Sequence, residues 1–210
     1  MKKIIALVLA LSMLLGLCSF ASAEAAPSAK RSGSSIQIKE AVDDNAISVI
    51  NAEKAKLQKG LVVSLEKIGD ADLAKLCDAF PDIKGISIRG NKELTSLAPL
   101  AKLTQLTSVD ISETVQVTDY SPLSSLTGLT ELKVRSDGMS GDLKWMTPLV
   151  NLKKVDISSK NLTSFEGIPS LPSLKTASFH YASPADLTPL VTSLPNLTSL
   201  HLNYCVLADL

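Results

Sequence analysis

Six segments of this chain share one apolar spacing and recur at nearly constant intervals. They are IKGISIRG from Ile83, LTSVDISE from Leu106, LTELKVRS from Leu129, LKKVDISS from Leu152, LKTASFHY from Leu174 and LTSLHLNY from Leu197. Each has apolar residues at i, i+3 and i+5, and the starts lie 23, 23, 23, 22 and 23 residues apart. Self-similarity at such a period is the signature of a stacked-repeat architecture. Alternation of apolar and polar residues within each segment predicts a short strand with one buried face. A second rhythm follows, with apolar residues about three apart: Leu94, Leu97, Leu100 and Leu103; Val117, Tyr120, Leu123 and Leu126; Leu143, Met146 and Leu149; Leu162, Phe165, Ile168 and Leu171. A period of three suits a 3₁₀ or irregular return. Pro99, Pro122, Pro148 and Pro189 argue against long regular helices there. No such unit can bury its apolar edge alone, so neighbours must stack into one continuous core.

The 22–23-residue unit and its returns of SPLSSLTGL type resemble the leucine-rich repeats of bacterial internalin-like proteins, over about residues 60 to 210. The resemblance implies an α/β repeat solenoid: a horseshoe with a parallel concave sheet and short 3₁₀ or irregular convex returns. It also implies an asparagine eight residues after the first apolar position, where the side chain satisfies turn backbone groups. Only Asn91 keeps it. Thr114, Asp137, Lys160, Ala182 and Cys205 stand at the other five positions, so the ladder is expected to be thin and the turns less rigid.

On the amino-terminal side, residues 60–82 fit an atypical first unit, with Val63 and Leu65 aligned on Ile86 and Ile88. Its return reads as a true helix: Asp70 or Asp72 can cap the start, Leu73, Leu76, Cys77 and Phe80 share a face, and Pro81 ends it. Cys77 is expected to be buried on that face. A cap helix is expected within 38–59, with Val42, Ala46, Val49, Ile50 and Leu57 on its apolar side. The Ala-, Ser-, Pro- and Gly-containing stretch before it predicts a flexible tether over 24–37. Residues 1–23 read as a secretory signal, with Lys2 and Lys3 before the apolar stretch Ile4 to Leu17 and a small-residue cleavage site at Ala21-Ser22-Ala23. That stretch is short for a bilayer span, which needs about 20 residues. A lipoprotein anchor at Cys18 would want a small residue where Leu17 stands. The division is therefore a signal peptide at 1–23, the tether, a cap with the atypical repeat at 38–82, and repeats at 83–210 with the last incomplete.

Export places the mature protein outside the cytoplasm, secreted or in the cell envelope, with no membrane insertion after cleavage. Loss of Lys2 and Lys3 takes Lys plus Arg from 21 to 19 against 21 Asp plus Glu, a net charge of −2. That balance excludes the clustered basic excess of a nucleic-acid binder. Chemistry is sparse. His180 and His201 fall in adjacent units with Cys205 just beyond, but no placed carboxylate completes a metal set, and no third group orients a Cys/His nucleophile. The sequence also holds no H-E-x-x-H motif and no Gly-rich phosphate loop. The chain is read as a non-enzyme without cofactor or metal.

Strand alternation identifies the outward columns. The fifth residue of each unit gives Ser64, Ser87, Asp110, Lys133, Asp156, Ser178 and His201; the seventh gives Glu66, Arg89, Ser112, Arg135, Ser158, His180 and Asn203. Asp110, Lys133 and Asp156 are expected to pair with one another across adjacent rungs. His180, Tyr181, His201 and Tyr204 cluster on the last two units, and tyrosine is enriched at interface hot spots. With Arg89 and Arg135 they are the candidate binding residues for a protein or glycan partner. Trp145 falls in a return and is expected to pack there. The function read from this is a binding module, and the internalin resemblance adds an adhesin role. The alternative is a structural spacer or a fragment of a larger envelope protein. An open last strand also permits edge-to-edge self-association.

Overall fold

The computed structural model describes residues 28–139 and 143–207. The expected signal peptide and the start of the expected tether lie outside these residues. Among the described residues nine strands form one sheet in chain order: β1 (Ala29–Ser32), β2 (Ser35–Lys39), β3 (Val62–Glu66), β4 (Gly85–Arg89), β5 (Ser108–Ser112), β6 (Glu131–Arg135), β7 (Lys154–Ser158), β8 (Thr176–His180) and β9 (Ser199–Asn203). From β2 to β9 every pairing is parallel, whereas β1 and β2 form an antiparallel hairpin. The sheet register follows the repeat. Ile86 pairs with Val109, Val109 with Leu132, Leu132 with Val155, Val155 with Ala177 and Ala177 with Leu200. A parallel column runs through Ile88, Ile111, Val134, Ile157, Phe179 and Leu202. The first five members of each column are buried, while the sixth is exposed or only partly covered.

Behind the strands, the apolar residues three apart all point into the same core. Their backbone explains the period. Leu100 N–H bonds the Leu97 carbonyl, Leu103 the Leu100 carbonyl and Leu106 the Leu103 carbonyl, each at 2.9 Å, so each i→i+3 bond returns a leucine inward. Three returns carry 3₁₀ turns, Ala98–Lys102, Ser121–Ser125 and Lys144–Met146. Helical returns are α2 (Asp70–Ala79) and the short α3 (Thr188–Ser193). In the third turn the backbone approaches closely: a Cβ on Gly138 would lie 2.4 Å from the Val117 carbonyl oxygen.

The amino-terminal cap differs from the sequence expectation. Helix α1 (Asp44–Lys54) forms within the expected window, capped by Asp43, whose carboxylate accepts the Ala46 N–H at 2.7 Å. Val42, Ala46, Ile50 and Leu57 are buried, and Val49 is partly so. The described part of the supposed tether, by contrast, is the β1–β2 hairpin. Ile36 and Ile38 pair with Val63 and Leu65 and are fully buried. Two alternating isoleucines in a Ser/Lys background suffice, because the sheet edge supplies the hydrogen bonds that the composition could not advertise. In α2 the cap position is Gly69, and Asp72 reaches back to its N–H at 3.4 Å. Asp70 serves another purpose: its carboxylate accepts the N–H groups of Thr95 (2.8 Å) and Ser96 (3.0 Å) in the following unit. Cys77 is buried on the helix's inner face, and burial pushes its thiol up to about 12.

Candidate binding face

The turn after each strand decides what the exposed face presents. In the units containing Gly90, Glu113, Tyr181 and Tyr204 the eighth residue has positive φ, between 57° and 64°, and the ninth turns inward. Asn91 does so fully buried. Its side chain accepts the Ile68 N–H at 2.6 Å and donates to the carbonyls of Leu65 and Arg89. Cys205 occupies the same slot, with its Sγ 3.5 Å from the Phe179 carbonyl. In the third and fourth units the eighth residue lacks positive φ and turns inward itself. Ser136 and Ser159 are buried, donating to the Thr114 and Met139 carbonyls at 3.1 and 2.7 Å. Asp137 and Lys160 are thereby displaced to the surface, with their charged groups 3.9 Å apart. The ladder is therefore fuller than the asparagine count suggests, with serine doing part of the work one position earlier.

On the face itself the charges pair differently from expectation. Asp110 accepts from Lys133 (3.2 Å), Arg89 (2.5 Å) and Ser112 (2.8 Å). Burial would raise its carboxyl, but the Ser112, Arg89 and Lys133 hydrogen bonds outweigh that and hold it below the ordinary value. Asp156 turns to Arg135 at 2.8 Å and faces His180, whose Nε2 lies 3.5 Å from Oδ1. The hydrogen bond to Asp156 pushes the Arg135 guanidinium further up. Arginines in the seventh column thus reach diagonally to the aspartate of the next unit, and Lys133 sides with Asp110.

The six candidate residues separate into groups. Arg89 lies at the amino-terminal end, spent on Asp110. Arg135 and His180 meet through Asp156, and His180 Nδ1 is 3.4 Å from the Asn203 amide. His201 bonds the Ser199 hydroxyl at 2.8 Å. Tyr181 and Tyr204 stack with centroids 5.2 Å apart and planes 10° apart, and are 45% and 77% exposed. Exposure on that scale makes the pair a surface feature rather than a cover for the core. Sequence reasoning missed the depression beside them, of about 410 Å³, whose lining includes Tyr181, Arg135, Ser158, Lys160, Glu113 and Asp137. Four of these, Glu113, Asp137, Lys160 and Tyr181, follow strands rather than lie in them, so strand alternation gave no handle on them. Trp145 packs in its return, stacked on Tyr120 at 6.1 Å. Among the described residues no group of three His, Cys, Asp or Glu is placed to hold a metal ion, and no helix is long and apolar enough to cross a membrane.

No protein-family model matches the sequence, and no curated protein matches it. Solved structures do. An internalin C2 from Listeria monocytogenes matches with a TM-score of 0.65 at 22% identity, over 84% of this chain and 74% of that one. An internalin of the same species, inlF, matches with 0.56 at 22% identity, over 78% of this chain and 46% of that one. TLR13, solved as a complex with ssRNA13, matches with 0.50 at 15% identity, over 83% of this chain and 33% of that one. The chain thus spans less than half of the two longer structures. At these identities the likeness is one of architecture: the chain folds as a leucine-rich-repeat solenoid, and the solved structures it resembles include internalins.

Proposed function

We propose that the chain is a secreted or surface-displayed bacterial binding module, without catalytic activity, that recognises a protein or glycan through the concave face of its sheet. One observation carries this reading. The fold needs only one side of each strand for its core, so the fifth and seventh columns present a preformed surface whose polar groups, apart from the buried Ser112, are exposed or part-buried in fixed register. Preformed surfaces lose little entropy on binding. The internalin likeness supports an adhesin-type role. The neighbour TLR13 is solved with RNA, but here Arg89, Lys133 and Arg135 are each compensated by an aspartate. A polyanion would meet no free basic stripe.

The test is binding of the purified protein to immobilised host-surface proteins and to a glycan array. Paired substitution of His180 and Tyr204 by alanine should weaken binding more than paired substitution of Arg89 and Asp110, and Lys102→Ala on the return side should leave it unchanged. Loss on Lys102→Ala with no effect of the face variants would reject the concave reading. Failure of every surface to bind would favour the spacer.

A further inference from the structure

The depression beside Tyr181 has a chemistry of its own. Tyr181 stands in a left-handed conformation (φ 61°), as do Glu113 and Gly90 at the equivalent turn position. The backbone demand therefore belongs to the fold, and it favours glycine or asparagine there. A tyrosine is a costly choice at such a place, and a second one follows at Tyr204 (φ 57°). Tyr204 stacks on Tyr181 from the side of the last unit. The units before it carry Arg135, Ser158 and Lys160, so the opposite ring face forms a wall of the depression. Backing by Tyr204 holds that wall in place before any ligand arrives.

Val115 adds a second apolar patch to the lining, and the remaining side chains are polar and nearly charge-balanced. Arg135 is compensated by Asp156 and Lys160 by Asp137. An anion would have to compete with those aspartates, and a cation would meet both basic groups. The Glu113 backbone N–H bonds the Arg135 carbonyl at 2.8 Å, but its exposed carboxylate has no hydrogen bond or ion pair among the described residues, which leaves it as an acceptor. The Ser158 hydroxyl and the unused N–H groups of Arg135 and Lys160 remain as donors. A ligand suited to this set has an apolar face for the ring and uncharged hydroxyls around its edge. We propose that the depression is a subsite for one ring of a neutral glycan, a hexose or N-acetylhexosamine, with its C–H face on Tyr181 and its hydroxyls shared among Glu113, Ser158 and Arg135. The electron-rich ring face attracts the polarised C–H groups of such a sugar. Its volume lies in the range of small-ligand sites. This inference rests on the binding-module reading and narrows its ligand.

The experiment uses an array of neutral hexose and N-acetylhexosamine oligosaccharides alongside sialylated and sulfated ones, followed by NMR titration of the best neutral binder. Tyr181→Asn suits the left-handed turn, so the thermal midpoint should hold or rise while affinity for the neutral glycan falls about tenfold, the loss of one stacked ring. Glu113→Gln should weaken binding severalfold, and Tyr204→Asn less than Tyr181→Asn. Neutral-glycan binding unaffected by Tyr181→Asn would overturn the subsite. Tyr181-dependent binding only of acidic glycans or of polypeptides would overturn the ligand class. Absence of all glycan binding would overturn the proposal as well, while polypeptide binding lost in the His180 and Tyr204 double variant would leave the broader reading standing.

Discussion

Asn91 ties three backbone groups from two units, and its burial makes each of those bonds hard to replace. Its truncation would orphan the Ile68 N–H and the Leu65 carbonyl inside the solenoid. A buried donor or acceptor left unpaired costs about 1–3 kcal/mol. Asn91→Ala is therefore expected to destabilise by about 2–4 kcal/mol, whereas Lys160→Ala, at the homologous sequence position, should fall within about 0.5 kcal/mol of wild type. Urea denaturation of both variants checks this. Equal costs would mean that the fourth turn is held by Lys160 after all, not by Ser159. The contrast shows where residue-level reading ran out. Counting eight residues from Leu152 finds Lys160, but the backbone turns inward one residue sooner, and only φ at the eighth position distinguishes the two turns. Ser136 and Ser159 carry no sequence mark that separates them from ordinary surface serines.

Among the elements, the strands and most returns were legible because their periods, two and three, are set by backbone geometry that side-chain pattern must obey. The hairpin of β1 and β2 was not. Its strand precedes β3 by 27 residues rather than 23, and Ile36 and Ile38 are its only inward residues on β2. The depression at Tyr181 was hidden for a related reason: it is assembled from four successive turns, whose conformation the repeat spacing leaves open. Helix α2 was legible as a helix, but the role of Asp70 was not, since its partners lie 25 and 26 residues away. Burial would raise that carboxyl. The Thr95 hydroxyl and the N–H groups of Thr95 and Ser96 outweigh it and hold the group below the ordinary carboxylate value. A depressed folded-state value means that the stabilisation is complete above the unfolded pKa, near 3.9, and lost as pH falls through the folded one. Asp70→Asn should thus cost about 1 kcal/mol at pH 7, the scale of a capping carboxylate, and its deficit should shrink below about pH 4. Thermal melts from pH 7 to pH 2.5 read this directly. A deficit constant with pH would show that the carboxylate charge contributes nothing.

At the scale of the molecule, the described elements make no strong contacts that skip a layer: each strand meets its neighbours, α1 meets the hairpin, and α2 meets the first 3₁₀ turn. Stability in such a chain is a sum of unit terms and nearest-neighbour interfaces. Ile38 and Ile157 allow a matched test, since both are isoleucines with no exposed surface. Ile157 lies between Val134 and Phe179, with whole units on either side. Ile38 lies between Leu65 and Ala29, where among the described residues only the four-residue β1 stands outside it. Truncation to alanine removes similar burial at both sites, about 2–5 kcal/mol. The consequences should differ in extent. In hydrogen exchange, Ile157→Ala should reduce protection across β5–β8 and lower the main thermal midpoint. Ile38→Ala should instead open the hairpin, α1 and β3, leaving amide protection in β5–β8 unchanged. Uniform loss of protection in both variants would mean that the solenoid unfolds as one block, its interfaces so strong that no unit can fray without the rest.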